Sequence, residues 1–183
     1  MKSYLTCITK QFEYYKSLGD KTFVQLGFDE LQNEIALDSN SISIIVKHLV
    51  GNMLSRWTNL LTEDGEKEWR QRDLEFEDSY TSKAELLDAW EKGWQCLFDA
   101  ITPLTAGDLE RIIYIRNQGH TITEAINRQL AHYSYHVGQI VFLGKVLKGK
   151  DWQSLSIPKG GSAKYNEEKF NKSKERKHFT EEL

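Results

Sequence analysis

His48 lies alone on one apolar stretch of the chain, whereas His132 and His136 sit together on a much later one. On a helix, two histidines four residues apart share a face, with Cβ atoms about 6 Å from each other. A third imidazole from another helix would complete a three-nitrogen set that holds a divalent metal and leaves positions open to water or substrate. The same residues fit a plainer reading as core histidines satisfied by hydrogen bonds, since a buried polar ring without partners is costly. Spacing alone does not choose between the two.

The elements that must position these side chains follow from hydrophobic periodicity. Proline occurs only at positions 103 and 158, so little interrupts helix formation. Leu5, Ile8, Phe12, Tyr15 and Leu18 recur at helical spacing and predict a helix over residues 3–18, ended by Gly19-Asp20. A connection follows, with a short turn at Asp29–Gln32. A second long helix is expected from Ser41 to about Leu61, and a third from the capping box Ser82-Lys-Ala-Glu85 to Pro103. Residues 109–122 form two β-prone runs around Asn117-Gln-Gly119, a hairpin pattern. Thr121-Ile-Thr-Glu124 is another capping box and opens the longest helix, to about Leu147, with Gly149 as its stop.

The expected fold is therefore all-α. It is a four-helix bundle with long crossover connections, a short β-hairpin before the last long helix, and an irregular C-terminal extension. Residues 1–166 make the bundle domain and 167–183 a polar tail with the composition of a disordered segment.

Bulk composition bounds the function. The chain has 183 residues, 39% hydrophobic and 28% charged, with a net charge of −3. That suits one globular domain and shows no basic stripe for nucleic acid. No apolar run is long enough for a membrane span or signal peptide, so a cytoplasmic location is expected. Cys7 and Cys96 form no disulfide framework and read as small hydrophobes. His120, at the hairpin, and His178, in the tail, read as solvated, and the five tryptophans as core or interface anchors.

On a helical wheel His48 falls beside Ile45, Leu49 and Asn52, and His132 and His136 beside Ala125, Ile140 and Leu143. All three thus face the bundle interior. No Asp or Glu shares the histidine sector, which argues against a two-His-one-carboxylate iron site. A carboxylate base would have to come from the acidic stretch 63–78, for instance Glu66 or Glu68. Asn52, one turn after His48, and Gln139, near one turn after His136, are candidates to support the ligands or touch substrate. Arg56 continues the same side of the second long helix and is a candidate for an anionic substrate group.

Several stretches carry a resemblance in the right order: Ile44-Ile-Val-Lys-His48-Leu-Val-Gly-Asn52 with Ser55-Arg56-Trp57, then Asp64-Gly-Glu-Lys, Tyr135-His136-Val-Gly-Gln139-Ile and Leu155-Ser-Ile-Pro-Lys-Gly160. Over about residues 3–166 the chain resembles the DinB-like/YfiT-like superfamily of metal-binding four-helix bundles, in particular an uncharacterised branch of it. The resemblance implies a divalent metal, nickel or zinc, on His48, His132 and His136, and a homodimer. It implies a small-molecule substrate, with thiol transfer from a low-molecular-weight thiol or metal-assisted hydrolysis as the reaction. The competing expectations are a non-catalytic metal-binding or stress-associated bundle, and a metal-free dimeric interaction module.

Overall fold

Ser41, Ser82 and Thr121 each start a long helix in the same way. Each side-chain oxygen accepts a hydrogen bond from the backbone N–H three residues on, at Ile44, Glu85 and Glu124. The computed structural model describes residues 2–182. Its long helices are α1 (Lys2–Gln25), α3 (Ile42–Trp57), α4 (Lys83–Ile101) and α5 (Ile122–Lys148). A short helix α2 (Phe28–Gln32) lies in the first crossover, and the strands β1 (Ile112–Ile115) and β2 (Gln118–Thr121) precede α5. The fold is thus the expected all-α bundle with a hairpin before its longest helix.

α3 packs on both α4 and α5, and α1 packs on α5 and α4, which closes the four helices around one core. The centre of that core is aromatic: Phe12, Trp94 and Tyr133 meet edge-on or tilted, with ring centroids 5.8–6.3 Å apart. The Tyr133 hydroxyl accepts from Trp57 Nε1 at 2.9 Å and donates to Asn52 Oδ1 at 3.0 Å. This buried relay ties α3 to α5 and fixes their register next to the histidines.

Three boundaries differ from those expected, each for a local reason. α1 does not stop at Gly19 but runs on to Gln25. Gly19 instead makes room for Trp90: a Cβ there would lie 2.5 Å from Trp90 Cζ2. α3 ends at Trp57 rather than Leu61, because Asn59 takes a left-handed conformation (φ 51°) that turns the chain away. The hairpin turns one residue early, at Arg116 and Asn117, with φ of 56° and 61°. Two such residues in succession make a type I′ turn, and Gly119 is left within β2, opposite Tyr114.

Beyond α5, the chain forms the helix α6 (Ser162–Phe170) and a 3₁₀ turn over Phe179–Glu182. The latter folds onto α1: Phe179 packs on Tyr14 with centroids 5.3 Å apart, and Lys10 pairs with Glu181. His178 is half-buried rather than solvated, with Nε2 3.5 Å from Cys7 Sγ. Trp69 departs from the anchor role expected of the tryptophans and lies 57% exposed. No described helix is long and apolar enough to cross a membrane.

The packing at Gly19 predicts that Gly19→Ala destabilises the bundle by ~1–3 kcal/mol through overpacking, despite alanine's better helix propensity. Urea unfolding measures this; an unchanged or raised midpoint would show that Trp90 does not depend on the gap.

Candidate metal centre

His48 is carried by α3, and His132 and His136 by consecutive turns of the facing helix α5. One ring nitrogen from each lies within 4.8 Å of those of the other two. The closest pair is His48 Nε2 and His132 Nε2, 3.2 Å apart. Nitrogens tetrahedrally bound to a zinc ion at ~2.0–2.1 Å would stand about 3.3 Å from one another. With the third ring nitrogen within 4.8 Å of the other two, the three histidines could hold a metal ion.

The outer nitrogens explain why the inner ones converge. His48 Nδ1 donates to Glu75 Oε2 at 2.9 Å, and His136 Nδ1 donates to Gln139 Oε1 at 2.7 Å. In both rings this leaves Nε2 with the lone pair, and that of His48 faces His132 Nε2. This is the arrangement by which buried ligand histidines are fixed in one tautomer and made more basic. The Phe76 ring stacks on His48, with centroids 5.1 Å apart, and restricts it further.

Glu75 belongs to a 3₁₀ turn, Arg72–Phe76, that packs on α3. Gly51, one turn after His48, makes this approach feasible, since a Cβ there would collide with the Glu75 carboxylate. Arg70 grips that carboxylate bidentately, Nε to Oε1 at 2.7 Å and Nη2 to Oε2 at 2.9 Å. Burial works against the ionised form of Glu75, but the hydrogen bonds from His48 and Arg70 outweigh it and hold the carboxyl below its usual range. Both its oxygens are committed, so it positions His48 and is not free as a base.

The other candidates are placed as follows. Asn52 accepts from Tyr133 and borders a cavity beside the triad. Gln139 Oε1 contacts His136. Arg56 is buried, donates to the Gly65 carbonyl and pairs with Glu66 at 2.9 Å. Glu66 also faces Arg70 and Arg116 at 3.3 and 3.4 Å, and these charges hold it ionised against the cost of burial. Glu68 is exposed. Glu66 is therefore committed to its arginines, and Glu68 is not among the residues that line the cavity. His120 is half-buried, not solvated, and its Nε2 has no partner among the described residues.

Glu75 and Arg70 were not singled out by sequence reasoning, because residues 63–78 have no periodicity from which to infer a direction. Arg128 and Gln129 were also missed, although here a signal exists. Arg128, His132 and His136 are spaced by four residues on α5 and must share a face.

Burial, then repulsion from His136 and His48, pushes the His132 imidazole down to about 3, and burial lowers His136 as well. The folded protein therefore takes up fewer protons than the unfolded chain below the usual imidazole range. Metal-free protein should be at full stability above that range and lose stability as pH falls from about 6.5 towards 3. Thermal melts of wild type and His132→Gln test this, and equal pH slopes would contradict it. Glu75→Gln should weaken zinc binding by about 10–100-fold. A chelator competition measures that loss, and wild-type affinity would remove Glu75 from its positioning role.

Residues 1–161 match the family model described as "Protein of unknown function (DUF1572)". No curated protein and no solved structure matches the chain.

Proposed function

From the premise that the chain belongs to the DUF1572 family, we propose that it is a metal-dependent enzyme acting on a small molecule. His48, His132 and His136 would hold the ion, nickel or zinc. We place the family in the DinB-like superfamily on the order of its helices, with one histidine on the second long helix and a spaced pair on the fourth. The same resemblance supports a homodimer.

The observation that carries the enzymatic reading is the cavity of about 280 Å³ walled in part by His48 and His132. A metal that only braced the helices would need no such access. When bound, a divalent ion on three imidazoles supplies Lewis acidity and lowers the pKa of a coordinated water or thiol. The chain's own residues orient that centre. Glu75 and Gln139 hold two rings, Arg70 holds Glu75, and the Trp57–Tyr133–Asn52 relay fixes the two ligand-bearing helices.

Glu66 and Glu75 are both ion-paired and make weak bases. That favours transfer of a low-molecular-weight thiol, whose acidic proton needs no strong protein base, over hydrolysis.

Protein purified without a histidine tag should retain stoichiometric nickel or zinc by elemental analysis, and His132→Ala/His136→Ala should lose it. The metal-loaded chain should consume a low-molecular-weight thiol in the presence of an electrophilic acceptor, and the double variant should not. Metal retention with no metal-dependent turnover of thiols or activated esters would instead favour the non-catalytic metal-binding bundle.

A further inference from the structure

The cavity beside the triad is lined by Arg56, Arg70, Arg72, Arg116 and Arg128, together with the buried amide of Gln129. These arginines come from four separate places in the fold: α3, the loop after it, the hairpin turn and α5. Their convergence is built, not incidental. Asp64 accepts the backbone N–H groups of Arg116 and Asn117, both at 2.8 Å, and so clamps the left-handed turn that presents Arg116. Arg72 lies over the Phe76 ring, which itself stacks on His48.

Of the carboxylates near these five guanidinium groups, Glu66 and Glu75 form ion pairs with them, and Asp64 is spent on the backbone of the hairpin turn. Glu75 is taken by Arg70 and His48, and Glu66 serves Arg56, Arg70 and Arg116 together. Arg72 and Arg128 have no carboxylate partner among the described residues. Positive charge this concentrated is self-repelling unless an anion neutralises it. Two further groups are left incomplete inside the same wall. Arg56 Nε and Gln129 Oε1 are buried without a hydrogen-bond partner, on residues only 7% and 3% exposed. Buried polar atoms of this kind are rare, and both residues line the same cavity.

We propose that this cavity binds an oxyanion carried by the substrate, a phosphoryl or carboxylate group, through Arg72, Arg116 and Arg128. Arg56 Nε supplies a further donor, and Gln129 Oε1 accepts from a hydroxyl or amino group on the same molecule. Planar guanidinium forks match either oxyanion bidentately. His48 and His132 border the same cavity, so an anchored anion would hold the rest of the substrate next to these histidines. That last link rests on the metal-dependent function proposed above, whereas anion binding itself does not require the metal.

The test is calorimetric titration of inorganic phosphate and of malonate, at constant ionic strength, into the full chain in zinc-loaded and metal-free forms. Both forms should bind at least one anion saturably. Tighter phosphate binding assigns a phosphoryl group, and tighter malonate binding a carboxylate. Arg72→Gln/Arg128→Gln should weaken binding at least about tenfold in both forms, with zinc content unchanged. The single variant Arg128→Gln, on an exposed helix face, should show a smaller loss and guards against misfolding of the pair. Absence of saturable binding by either anion, or wild-type affinity in the double variant, would overturn the proposal. A chain that takes up no zinc but binds phosphate in an arginine-dependent way would overturn the metal-dependent function and leave this site standing.

Discussion

Imidazoles that meet edge-on between two helices aim their lone pairs at one point when their outer nitrogens are held in place. That constraint organises the protein. His48 is fixed by Glu75 and His136 by Gln139. Glu75 in turn needs a cation, because a carboxylate taken out of water without one is expensive, and Arg70 fills that place from within the same loop. The loop must then be docked tightly enough for a 3₁₀ turn to reach α3, and Gly51 leaves the space for it.

The same logic links the centre to the hairpin. The backbone of Asp64–Lys67 is tied to Ser55 and to Tyr114, and the Asp64 carboxylate caps the turn at Arg116 and Asn117. Loop, hairpin and ligand helices thereby form one connected polar layer on top of an apolar core. Glu66 lies at its centre and is shared by three arginines. A polar network of this density is stable only when its members satisfy one another. Two of its unsatisfied atoms, Arg56 Nε and Gln129 Oε1, belong to residues that line the cavity.

Much of this was legible in the sequence where geometry is periodic. The inward direction of His48, His132 and His136 follows from helical spacing, and Ser41, Ser82 and Thr121 mark the starts of three long helices by chemistry that depends only on neighbours. Where the outcome depended on a distant contact, local reading failed. Gly19 looks like a helix stop, yet its role is set by Trp90 seventy-one residues later. Glu75 carries no local sign of its role, because its direction is fixed by Arg70, Gly51 and His48 together. Arg128 was readable, as it repeats the four-residue spacing of the histidines, but a lone exposed arginine on α5 gains meaning only once the hairpin and loop arginines are seen to meet it.

The most direct measurement is anomalous diffraction at the absorption edges of nickel and zinc, from crystals of the chain purified without a histidine tag. The account predicts one strong peak about 2.0–2.2 Å from a ring nitrogen of each of His48, His132 and His136. It also predicts that Glu75 and Gln139 remain on the outer nitrogens of His48 and His136. No peak among the three rings, or an ion bound elsewhere while the imidazoles hydrogen-bond to one another, would contradict it.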